Sequence, residues 1–134
     1  MRIVLDTNVV VSGLFFGGAP RVVLDAWADG KLQVVMTPSI LDEYRQVCDR
    51  MSETYPATDY RKVLYPLVAQ ATMVGDRAGE GPVTADPDDD KFMWCAWHSD
   101  VPVVSGDRHM LDADGWRGVK VLTPRAFLTQ FRVG

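Results

Sequence analysis

The sequence predicts an α/β fold, a three-layer domain in which helices cover a parallel sheet. Short, valine-rich apolar runs alternate with helical patterns along the whole chain. The runs are almost continuously hydrophobic, as strands buried on both faces must be. Three of the helical patterns open on a cap residue followed by proline, at Thr37-Pro38, Asp86-Pro87 and Thr123-Pro124. At 134 residues the chain is one domain, residues 1–134, long enough to bury a single core.

The first strand is expected at Arg2–Leu5, and Asp6-Thr7-Asn8 behind it reads as a turn because all three side chains suit turns. A helix follows at Arg21–Ala28, with Gly30 as its stop, and then a strand at Leu32–Met36. Pro38–Met51 is helical, with Ile40, Tyr44, Val47 and Met51 on one apolar face. Tyr60–Gln70 is also helical in pattern, but Pro66 should kink it or split it after Tyr65. Thr72–Val74 is the third strand, and the polar, Gly-rich Gly75–Thr84 is a loop within the domain. The chain closes with a helix at Pro87–His98, a strand at Val101–Val104, a short helix at Arg108–Ala113, a strand at Val119–Leu122 and a helix at Pro124–Phe131. Such alternation implies right-handed crossovers.

Apolar residues make up 47% and charged residues 24%, ordinary values for a globular protein. No run approaches membrane-spanning length, and three apolar residues before Asp6 are too few for a signal-peptide core. Cys48 and Cys95 lie in helical patterns without metal-ligand spacing, so buried reduced thiols and a cytoplasmic location are expected. With 18 acidic and 14 basic residues the net charge is −4, which alone argues against a nucleic-acid binder. Two divalent ions in an acidic pocket would cancel about four charges and remove that objection.

The acids carry the functional signal. In a parallel sheet the ligand crevice lies outside the carboxyl ends of the strands. Asp6 ends the first strand and Asp107 follows the fourth; Glu43 borders the apolar face of its helix, without a cationic i,i+4 partner. Within Asp86-Pro87-Asp88-Asp89-Asp90, Asp86 is a natural cap, and Asp88 and Asp89 suit the helix dipole. Asp90 lies three residues before Met93 and seven before Trp97, so it is expected to point inward towards the strand ends, with Asp89 in reserve. Each acid singly has a structural reading as turn, cap or surface group. Together at one sheet edge they would repel one another unless a divalent cation held them.

Four segments resemble the PIN-domain nucleases, in particular small bacterial toxins of VapC type: Val4-Leu5-Asp6-Thr7-Asn8-Val9, Thr37-Pro38-Ser39-Ile40-Leu41-Asp42-Glu43, Asp86-Pro87-Asp88-Asp89-Asp90-Lys91-Phe92 and Val104-Ser105-Gly106-Asp107-Arg108. The resemblance implies a PIN-like α/β/α domain with a five-stranded parallel sheet and a catalytic, metal-binding quartet of Asp6, Glu43, Asp90 and Asp107, supported by Asn8 and Ser105. His109 departs from the pattern, since relatives often carry an acid two residues after the fourth Asp. The implied activity is an endoribonuclease using Mg²⁺ or Mn²⁺, two ions about 3.5–4 Å apart clamping an in-line displacement. All-oxygen ligands suit these ions and argue against zinc. Water would be the nucleophile, leaving a 5′-phosphate and a 3′-hydroxyl.

Lys91 and Arg108, with Arg21 and Arg45, are expected at the pocket rim, where they would hold RNA phosphates. His98 and His109 read first as structural histidines. Trp94 and Trp97 read first as core; an outward-facing one would serve a homodimer interface. The resemblance also implies a separate antitoxin protein as partner, without identifying it. A haloacid-dehalogenase-type phosphatase needs an Asp where this chain has Asn8. Two other readings stay open: an inactive PIN-like module that binds RNA or protein, and a housekeeping RNA-processing nuclease.

Overall fold

In the computed structural model, which describes residues 1–79 and 81–131, five parallel strands form one sheet flanked by helices. The strands are β1 (Arg2–Leu5), β2 (Gln33–Met36), β3 (Thr72–Met73), β4 (Val103–Val104) and β5 (Val121–Leu122), in the spatial order β3-β2-β1-β4-β5. Arg2 pairs with Gln33, Val4 with Val103, Val35 with Thr72 and Val103 with Val121. The central strands are hydrophobic on both faces because both are covered: Ile3, Val4, Leu5, Val34, Val35, Val103 and Val104 are buried. Since all strands run the same way, the segments that follow them gather at one edge.

The helices are α1 (Thr7–Phe15), α2 (Gly18–Ala28), α3 (Pro38–Thr54), α4 (Arg61–Ala69), α5 (Asp90–Ser99), α6 (Arg108–Leu111) and α7 (Pro124–Phe131). Helix α1 stands where the sequence suggested a turn. Asp6 keeps extended backbone and the helix begins at Thr7, with no intervening loop. Val9, Val10 and Val11 are all buried, so α1 is apolar nearly all round and shows no helical period in its sequence. It packs closely on α2: a Cβ on Gly13 would fall 2.6 Å from Leu24 Cδ1. Gly17 and Gly18, both at positive φ, make the 95° bend between these two helices.

Caps fix the other helix starts. Thr37 accepts the Ile40 amide at 3.3 Å with Pro38 in the first turn of α3. Asp86 accepts the Asp88 amide at 3.0 Å at the head of a 3-10 turn, Pro87–Asp89, that leads into α5. Thr123 accepts the Ala126 amide at 3.0 Å. Of the two outcomes expected at Pro66, a kink or a split after Tyr65, the split does not occur: helix α4 runs through the proline. Helix α5 packs against β1, β2 and β4, while α1 contacts α2 and α3. Cys48 and Cys95 are buried free thiols. Among the described residues no single helix is long and apolar enough to cross a membrane.

Candidate functional site

Four carboxylates line a cavity of about 310 Å³ at the carboxyl edge of the sheet: Asp6, Glu43, Asp89 and Asp107, with Thr7, Asn8, Val11, Ser12 and Val47 completing its wall. The geometry follows from the fold. Asp6 is the first residue after β1, and Asp107 lies just beyond β4, the strand paired with β1. Tyr44 donates its phenol to the Leu5 carbonyl at 2.5 Å, pinning α3 against the end of β1 and bringing its neighbour Glu43 to the cavity. The 3-10 turn before α5 presents Asp89.

Of the acids expected there, Asp6, Glu43 and Asp107 line the cavity, whereas Asp90 does not. Asp90 does point inward, only 3% exposed, but its carboxylate faces the preceding loop. It accepts the Thr84 amide at 2.8 Å, the Thr84 hydroxyl at 2.9 Å and the Val83 amide at 3.3 Å. An acid with three donors on it is a loop anchor. Asp89, the reserve in the sequence reading, supplies the fourth cavity carboxylate. The helical phase counted back from Met93 and Trp97 holds for Asp90 but does not extend to Asp89, which lies in a tighter 3-10 turn.

Each carboxylate is held differently. Ser105, fully buried, donates its hydroxyl to Asp6 Oδ2 at 2.5 Å and accepts the Asp107 amide at 3.0 Å, so one serine orients two of the acids. Asn8 lines the cavity and accepts the Gly106 amide at 3.5 Å. Asp107 also caps α6, accepting the His109 amide at 3.2 Å. Glu43 takes the Thr7 hydroxyl on Oε2 and the Lys91 ammonium on Oε1, the latter at 2.6 Å. Thr7 did not stand out in the sequence, where its only signal was its place in the tripeptide after β1, and Asp89 stood there only in reserve.

The electrostatics record the crowding. Burial, chiefly, pushes the Asp6 carboxyl up to about 6; Asp107 and Glu43 add to the rise while the Ser105 hydroxyl opposes it. Burial likewise pushes Asp89 up to about 6, helped by the charges of Asp6, Asp86, Asp107 and Glu43. The site is thus short of positive charge. Its donor set, carboxylate oxygens from four parts of the chain, is what a hard divalent ion such as Mg²⁺ or Mn²⁺ takes. As the side chains stand, no group of three or more among the described residues is arranged to hold an ion. Glu43 is engaged by Thr7 and Lys91, and Asp107 by the His109 amide.

Among the cations expected at the rim, only Lys91 reaches a cavity acid. Arg21 pairs with Asp25 on α2 at 3.1 Å, Arg45 lies over the Tyr65 ring at 5.8 Å, and Arg108 is exposed at the start of α6. Beyond Lys91 lies a larger cavity of about 570 Å³, lined by Ser39, Asp76, Arg77, Trp94, His98 and neighbours. Trp97 is half-buried against Trp116, and Trp94 lies under the loop at Gly79.

The comparisons with known proteins agree with this architecture. An uncharacterized protein of Methanocaldococcus jannaschii, MJ1680, is 27% identical over 143 residues, covering 98% of this chain and 92% of that protein. In fold the chain is similar to a structure described as VapBC2 from Rickettsia felis bound to a DNA fragment from their promoter. The TM-score is 0.63 at 11% identity, over 92% of this chain and 98% of that one. The family model for the PIN domain matches residues 2–109, a span that contains all four cavity carboxylates. On that match the chain belongs to the PIN domain family.

Proposed function

We propose that this protein is a divalent-metal-dependent endoribonuclease, the toxin component of a toxin–antitoxin pair. The observation that carries the reading is the convergence of Asp6, Glu43, Asp89 and Asp107 on one cavity at the carboxyl edge of the sheet. Membership of the PIN domain family and a fold shared with a VapBC complex support the nuclease and toxin parts. The partner would be a separate antitoxin chain, and the two buried free thiols suit the cytoplasm.

Asp6, Asp89 and Asp107 would hold Mg²⁺ or Mn²⁺, two ions in the complete site, with Glu43 turning in to share the load. When bound, such ions polarise the scissile phosphate and stabilise the charge that builds on the attacking and departing oxygens. The protein's own part is positioning. Ser105 fixes the orientation of Asp6 and the start of the turn that carries Asp107. Val11 and Val47 in the wall lower the local dielectric, which strengthens every charge interaction inside. Lys91 and Arg108 would hold phosphates of the RNA backbone on either side of the cleaved bond. Water adds across the phosphodiester, leaving a 5′-phosphate and a 3′-hydroxyl.

Cleavage of RNA by the purified protein with Mg²⁺ or Mn²⁺, compared with Asp6→Asn and Asp89→Asn, tests this. Both substitutions keep shape and remove a hard anionic ligand, so each should cost orders of magnitude in rate. If wild type leaves RNA intact across millimolar metal, the protein is a PIN-fold binding module instead.

A further inference from the structure

Lys91 sits in the first turn of α5, and its Nζ lies 2.6 Å from Glu43 Oε1 and 2.7 Å from the Asp88 carbonyl. The pair is well sheltered, the two side chains being 21% and 24% exposed. With Thr7 on its other oxygen, Glu43 has both oxygens engaged by protein donors. Asp6, Asp89 and Asp107 differ: among the described residues no lysine or arginine lies within ion-pair distance of them. One corner of the cleft therefore carries its own cation and the other three acids do not. The ammonium ends a flexible four-carbon stem, so it can leave Glu43 without any backbone movement.

We infer that Lys91 is an exchangeable internal cation, holding the Glu43 corner until a second divalent ion displaces it. This rests on the reading of the cleft as a divalent-metal site and adds an order of events to it. Asp6, Asp89 and Asp107 would hold one ion with no cation to displace. Glu43 would become a ligand to another only after its contact with Lys91 is broken, which would make that site the weaker one. Once released, the ammonium stays tethered at the cleft rim, where a phosphate of the RNA is the replacement anion. In this arrangement Lys91 is a positioning residue: it sets where Glu43 points and how readily the second ion enters.

The test is calorimetric titration of the full chain with Mn²⁺ in the absence of RNA. Wild type should show a tighter and a weaker class of site. In Lys91→Met, which keeps length and removes charge, the weaker class should tighten roughly tenfold, the order carried by a charge-assisted contact. Lys91→Arg keeps the charge and should leave the weaker class weak. Lys91→Gln serves in place of Lys91→Met if the latter does not fold by circular dichroism. Two equal sites in wild type, or a weaker class unmoved by Lys91→Met, overturn the inference while leaving the metal site standing. No Mn²⁺ binding by wild type, or equal binding by Asp6→Asn, overturns the metal-site reading and the inference with it.

Discussion

Replacing Asp6 by Asn removes a charge from the cavity it shares with three other carboxylates, and its effect on stability can be worked out in advance. Asp6 is 5% exposed, and its carboxyl stands at about 6 against an ordinary 3.8. An acid whose folded-state value is raised costs stability when ionised: the cost is complete above about pH 6 and disappears as pH falls through the unfolded value near 4. At about 1.4 kcal/mol per pH unit, that gap costs the apo-protein roughly 3 kcal/mol at pH 7 and about half as much at pH 5. The Ser105 hydrogen bond is already contained in that value, so Asn, which stands in for the neutral acid, avoids the whole cost. The expected gain is about 3 kcal/mol at pH 7 and about half as much at pH 5. Urea unfolding of both proteins in chelator at the two pH values measures it. If Asp6→Asn is less stable than wild type at pH 7, or the difference does not change with pH, the account of the cleft as a site of uncompensated charge is wrong.

Two further substitutions separate anchoring from chemistry. Asp90→Ala strands the Val83 and Thr84 amides, while the Thr84 hydroxyl keeps the Asp86 carbonyl, and should cost roughly 3 kcal/mol in urea unfolding, whereas Asp89→Ala should cost under about 0.5 kcal/mol or stabilise the apo-protein. Gly79→Ala would place a Cβ 2.5 Å from Trp94 Cδ1, so it should destabilise by about 1–3 kcal/mol and red-shift tryptophan fluorescence as the loop lifts; an unchanged spectrum and midpoint would contradict the close approach.

The sequence spoke clearly where burial was two-sided. Apolar runs located all five strands, although β2, β3, β4 and β5 proved shorter than their expected segments. It was silent about α1, because a helix buried nearly all round has no polar face to give it a period, and Thr7 and Asn8 look like turn residues wherever they fall. Strand order was also beyond it, since nothing local to Val103 announces that it will pair beside Val4. In the acidic run the inward phase of Asp90 was right, but inward at that point means under the Val83–Thr84 loop. Which of two adjacent aspartates enters the cleft depended on one turn of tighter helix, a difference no periodic count resolves. Lys91 was visible as a charge near the rim; its reach to Glu43, 48 positions earlier in the chain, was not.

The position of β4 has a consequence for biosynthesis. It is laid between β1 and β5, yet it is made about a hundred residues after β1. Until Val103 and Val104 emerge, the first strand has one bare edge, and Ser105 and Asp107 do not exist to orient Asp6. A nascent chain that has not yet reached β4 therefore presents only a fragment of the cleft, and the four carboxylates come together only once Ser105 and Asp107 have followed that strand into place.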